Sequence, residues 1–182
     1  MPNPGAQPLE VILDAVFDSW DRNNRILVNL LRAIPEGGFE ATAVPGSKSV
    51  AEMFLHMNYV RLIFLVEDAP EFALTPPPRE WLRNSRQQIG TGPVDTARLA
   101  ADFNLSAIAV RDAVKGRIDT GRPMDLHYDH PLLFLEHMIW HEGYHHGQIK
   151  LALKAAGQPF DDEQIGAITW DVWMDKAIVS LE

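Results

Sequence analysis

Cysteine is absent from the 182 residues of this chain. That excludes a disulfide framework, a thiolate metal site and a cysteine nucleophile. Any thiol in its chemistry must arrive with a substrate. Any bound metal must be held by imidazole, carboxylate or water, a donor set that suits zinc or nickel, and also iron or manganese. Long apolar runs are missing as well, since no stretch approaches the ~20 residues of a membrane span. Clusters of Lys and Arg are lacking. Sixteen basic residues stand against 25 acidic ones, for a formal net charge of −9 and a pI near 5.2. Such a balance does not neutralise phosphates, so neither nucleic acid nor a membrane is an expected partner. The opening MPNPGAQPLE has neither the basic region nor the apolar core of a signal peptide, which makes the cytoplasm the expected compartment. No segment alternates apolar and polar residues as a half-buried strand does, so an all-α fold is expected.

What the chain does contain is an ordinary globular composition, 46% apolar and 23% charged, enough for one domain over residues 1–182. Four long helical segments and a shorter tail are legible. The first runs from about Pro8 to Ile34, with Leu9, Ile12, Leu13, Val16, Phe17, Trp20, Leu27, Leu30, Leu31 and Ile34 at helical spacing, and stops at Pro35, Gly37 and Gly38. The second starts at a cap on Ser47 or Ser49 and continues to about Glu67, burying Met53, Met57, Val60 and Phe64. Between residues 68 and 93 lie Pro70, Pro76-Pro77-Pro78, Gly90, Gly92 and Pro93, which leave room for a short helical turn around Trp81 to Gln88. So long an insert reads as a connection that crosses a four-helix bundle. The third long helix spans about Asp95 to Arg117, with Leu99, Phe103, Ile108, Val110 and Val114 apolar. The fourth opens on Pro131 and ends near Ala156, before Gly157 and Pro159. A short C-terminal helix between Asp161 and Leu181 would carry Trp170 and Trp173.

Four of the seven histidines crowd into the fourth long helix. At ~100° per residue, Phe134, His137, Met138, His141, His145, Gln148 and Ala152 share one face, while Glu136, His146, Lys150 and Lys154 lie roughly opposite. One buried histidine is ordinarily a hydrogen-bonded core residue. Three on a single buried face are hard to satisfy that way, because each unpartnered polar group costs ~1–3 kcal/mol, and a shared metal ion satisfies several together. Residues four apart place their Cβ atoms ~5–6 Å from each other, so two imidazoles can converge on one ion. His137 and His145 are two turns apart, ~12 Å, too far to share it. The pair is therefore His137 with His141 or His141 with His145. A second helix must complete the site, and His56, set among Met53, Met57 and Val60, is the best donor. His127 and His130 fall at a loop and a helix start, where solvated or capping roles fit.

The stretch Trp140-His141-Glu142-Gly143-Tyr144-His145-His146-Gly147-Gln148-Ile149 resembles the fourth-helix motif of the DinB-like (YfiT-like) metal-dependent hydrolase superfamily. In that motif two histidines four apart precede a basic residue, a glycine and a glutamine. Ser49-Val50-Ala51-Glu52-Met53-Phe54-Leu55-His56 is similar to the family's second-helix motif, which ends on the third ligand. The resemblance implies a four-helix bundle with a long crossover, a three-histidine site of His56, His141 and His145, and a homodimer. It also implies a small-molecule substrate. Characterised relatives include transferases and isomerases that use the metal to activate a low-molecular-weight thiol, beside a hydrolase reading in which water takes that place. His146 stands where the family commonly has arginine.

Two rival readings use the same residues. His141-Glu142-Gly143-Tyr144-His145 fits the H-E-x-x-H helix of zinc proteases, in which Glu is the general base and Glu163 would be the third ligand. Against it, those enzymes present a peptide to a sheet edge, and Glu142 sits ~100° around the helix from His141, where a solvated carboxylate is the plain alternative. A non-catalytic metal or small-molecule-binding protein is the other rival, and four protein ligands would mark a structural zinc.

Overall fold

The computed structural model describes residues 9–174 of the chain. Helix is the dominant secondary structure among them, and extended backbone pairs only at an isolated bridge between Thr42 and Ser49. The elements are α1 (Leu9–Ala33), α2 (Val50–Asp68), α3 (Pro78–Gly90), α4 (Thr96–Asp119) and α5 (Pro131–Ala155). A wound C-terminal segment follows, made of α6 (Asp162–Ile165), a π-helical turn over Gly166–Trp170, and α7 (Asp171–Met174). The rest of the expected C-terminal helix, to Leu181, lies outside the described residues.

The ends of these helices follow from local chemistry. Ser49 closes a capping box: its Oγ accepts from the Glu52 N–H at 3.2 Å, and Glu52 Oε2 accepts from the Ser49 N–H at 3.0 Å. Asp95 caps α4 through the Arg98 N–H, and His130 caps α5, its Nδ1 accepting from the Leu132 N–H. Gly157, at φ 76°, ends α5 in the left-handed region, which lets the Gln158 N–H reach back to the Leu153 carbonyl. The short turn expected near Trp81 is longer than the sequence indicated. Pro78 occupies a first-turn position that tolerates proline, and the buried Trp81 ties the helix to α4 by donating to Asp102 Oδ2 at 3.2 Å.

Two apolar clusters fix the directions of the long helices. One contains Leu27, Leu30 and Leu31 of α1, Val50, Phe54 and Met57 of α2, Leu99 and Phe103 of α4, and Ile149 and Leu153 of α5. The other contains Phe17 and Trp20 of α1, Leu65 of α2, Val110 and Val114 of α4, and Phe134 and Met138 of α5. Read in chain order, α1 and α5 run from the second cluster to the first, while α2 and α4 run from the first to the second. Since α2 and α4 point the same way, the connection between them must travel back along the length of the molecule. The segment 69–77 begins that return, passing from Phe72 on the second cluster to Leu74 between the two, and α3 continues it along α2 with Trp81, Leu82 and Ile89 on the first cluster.

A polar layer separates the clusters. The guanidinium of Arg61, fully buried, donates to both carboxylate oxygens of Glu142 at 2.5 and 2.8 Å. It also donates to Asn24 Oδ1, the Phe103 carbonyl and Ser106 Oγ. Asn23 donates to Glu142 Oε2, and Ser106 to Asn58 Oδ1. The cation sits 4.6 Å over the Trp20 ring. This layer ties all four long helices together.

Two apolar residues expected inside are exposed. Ile12 is 50% exposed because burial along α1 begins only at Phe17. Ile108 is 46% exposed, since it lies two residues before Val110 and so on the far side of α4, whose inner face is completed instead by Ala100, Ala107 and Ala113.

Candidate metal centre

His56 projects from the second turn of α2, and His141 and His145 project one turn apart from α5, on the two sides of the residue that carries the polar layer, Glu142. The three imidazoles converge. Each offers a ring nitrogen within 4.8 Å of the others, and the ring centroids lie 4.7–5.2 Å apart. His56 Nε2 and His141 Nε2 stand 3.3 Å apart. Two imidazole nitrogens at ~2.0–2.1 Å from a tetrahedral ion would be separated by about 3.3 Å, so this pair already has the spacing of two ligands.

Electrostatics favours the same use. Burial, reinforced by His145 and Lys48, holds the His56 pKa down at about 4. Burial also brings His141 to about 4, helped by His145, His56, His137 and Arg61. His145 is lowered by burial too, against an opposing hydrogen bond to Gln148. All three are neutral at pH 7, the state in which a ring nitrogen has a lone pair to donate. His145 Nδ1 lies 2.7 Å from Gln148 Oε1. An amide oxygen only accepts, so Nδ1 holds the proton and Nε2 is left as the donor atom. His141 Nδ1 is buried with no hydrogen-bond partner. The donor set and its protonation fit one divalent ion, and among the described residues no carboxylate belongs to the cluster.

The remaining histidines go elsewhere. His137 Nδ1 is 2.6 Å from the Tyr128 hydroxyl, whose pKa is pushed up to about 12 by burial and by Asp68, so the phenol donates and the ring is held away from the cluster. His127 Nδ1 meets the buried Asp68 at 2.8 Å. His146 departs from expectation. It does not point into solvent: half-buried, it lines a cavity between α1, α5 and the C-terminal segment, with its Nε2 buried and unpartnered. The segment Gly166–Met174 folds back over that side, where Arg22 donates to the Val172 carbonyl. A helical wheel of α5 alone had no way to register this cover.

Glu142 is also corrected, from a solvated carboxylate to a fully buried one held by Arg61 and Asn23. The H-E-x-x-H reading loses its base, because both carboxylate oxygens are engaged in the interior. Sequence reasoning passed over Arg61 and Asn23. The available signal was a charged residue at position 61 between Val60 and Leu62 of an apolar helix. Compared with known proteins, the chain matches no family model, no curated protein and no solved structure.

Proposed function

We propose that His56, His141 and His145 hold one divalent metal ion, zinc or nickel ahead of iron or manganese, and that the chain is a metal-dependent enzyme of DinB-like four-helix type acting on a small molecule with a low-molecular-weight thiol. The observation that carries the reading is the convergence of three neutral imidazoles from two helices. The order and directions of the long helices, with a traverse between α2 and α4, support the bundle type. A three-histidine ion keeps its positive charge and open positions, and so deprotonates a coordinated thiol or brings bound water to a pKa of ~7. The chain's own groups favour the thiol. Water-based hydrolysis gains from a nearby general base, and Glu142 is committed to Arg61. A thiol gives up its proton on binding, needs no such base, and meets no competing cysteine.

A homodimer fits the surface. Leu133, Trp140, Tyr144 and Leu151 are each more than half exposed, at spacings of seven, four and seven along α5. That is a coiled-coil type of seam. Tyr144 stacks on Trp140 and touches the His145 ring, so the seam borders the histidine cluster.

The purified protein should carry about one divalent ion per chain, removable by strong chelators. Metal analysis that finds none after reconstitution with zinc, nickel, iron and manganese sinks the reading. With cobalt in the site, ~1 mM of a low-molecular-weight thiol should give a sulfur-to-metal charge-transfer band, with release of a proton, and His141→Ala should lack the band. A cobalt spectrum indifferent to common cellular thiols, together with ester or amide hydrolysis by the zinc form, replaces thiol transfer with hydrolysis.

A further inference from the structure

The cavity behind α5 is separate from the histidine cluster and has unusual walls. It encloses about 210 Å³ between α1, α5 and the C-terminal segment. Ile26, Leu27 and Ile139 make it apolar on one side, and Trp170 and Trp173 stand at it with 58% and 42% of their surfaces exposed. Asn23 of α1 and Thr169 of the C-terminal segment add polar atoms to its lining, but its titratable groups come from one strip of α5. Glu142 lies at the inner end, already neutralised by Arg61. Four residues on is His146, its buried Nε2 without a partner among the described residues, and four further is Lys150, half-buried, with burial acting on its ammonium and no carboxylate of the described residues paired with it. A cation partly withdrawn from water beside an unpartnered ring nitrogen is a costly arrangement, and an anion would satisfy both.

We propose that this cavity binds a small aromatic monocarboxylate, with Lys150 and His146 Nε2 taking the carboxylate and Trp170 and Trp173 taking the ring. One ammonium balances one negative charge. A dianionic phosphate would be under-compensated there. The volume suits a single ring bearing a short acid chain, since an apolar cavity of ~150 Å³ already accepts benzene. The apolar wall and the exposed indoles supply the surface on which such a ring loses water. The proposal is independent of the metal centre, because none of the cavity's walls is a ligand of the histidine cluster.

The test uses benzoate, phenylacetate and 3-phenylpropionate as probes, with the corresponding amides as neutral matches. Binding is followed by calorimetry and by the fluorescence of the tryptophans. Carboxylates also ligate metals, so each titration is run on the metal-loaded protein and again after chelation. At least one acid should saturate at one per chain in both forms, and its amide should bind about tenfold more weakly or less. Lys150→Met should weaken the acid by about tenfold while leaving the amide unchanged, and Trp173→Ala should weaken both. Thermal melting of each variant verifies that it is folded. The proposal is overturned if none of the three acids saturates, if binding vanishes on chelation, or if acid and amide bind alike. It is equally overturned if Lys150→Met binds the acid as the parent does.

Discussion

The atom that decides whether His145 can serve as a ligand is the oxygen of Gln148. Without that acceptor, three residues along the same helix, the imidazole would choose its tautomer freely and would turn about its Cβ–Cγ bond. Gln148→Leu should therefore keep one metal per chain but lower its affinity by roughly 10–100-fold, read by competition with a chromogenic chelator. His56→Ala, His141→Ala and His145→Ala should each remove most of the binding, whereas His146→Ala should not. His137→Ala is the control for the choice of helical pair. It strands the Tyr128 hydroxyl, so it should lower stability by about 1–2 kcal/mol in urea unfolding with metal content unchanged. If His137→Ala abolishes metal binding while His145→Ala leaves it intact, the cluster of rings is not the metal site.

Among the elements, α5 carries three different jobs on two of its faces, since Glu142, His146 and Lys150 share one strip. His141 and His145 face α2, Glu142 faces the interior, and His146 with Lys150 faces the cavity. The first of these was legible in part: spacing on an apolar face narrowed the pair to His137 with His141 or His141 with His145, and only the motif resemblance favoured the second. The caps at Ser49, the stop at Gly157 and the traverse between α2 and α4 were legible because each rests on local chemistry or on length. What stayed hidden depends on a partner from afar. Arg61 and Glu142 lie 81 positions apart, and neither helix alone says that its charge is answered. The same holds for His146, covered by a segment some twenty residues further on. The buried pair yields its own prediction. Glu142→Ala leaves a guanidinium unpaired in the interior and should cost about 3–5 kcal/mol, measured by urea unfolding. The double change Arg61→Met with Glu142→Leu should recover most of that loss. A Glu142→Ala protein as stable as the parent would mean that the polar layer does not bind the helices together.

For the molecule as a whole, the withdrawn histidines set the response to acid. His56, His141 and His146 each have a pKa near 4 in the fold, mainly through burial, against 6.5 for the ordinary side chain. Between those values the unfolded chain takes up protons that the native chain refuses, so stability rises with pH across this window. Their contribution is fully present above about pH 6.5 and is lost as the pH falls toward about 4. Asp21 and Asp102 act in the opposite sense. Burial raises both above 3.8, so the native form binds their protons before the unfolded chain does and gains relative stability as the pH falls toward 3.8. Asp125, held down by Arg117, loses its stabilising part only as the pH falls through and below 3.8. Between about pH 6.5 and about pH 5 the lowered histidines pull stability down as the pH falls. Metal-free protein should show a urea midpoint that falls steadily over that interval, at little change in the slope of the unfolding curve. Exchanging His146 for Phe removes one of the lowered groups and should flatten the fall, which His56, His141 and His145 continue to drive in the same direction. A midpoint that stays level from about pH 7 to about pH 5 would show that these rings are open to water. The neutral, ligand-ready state assigned to His56 and His141 would then have no basis in burial.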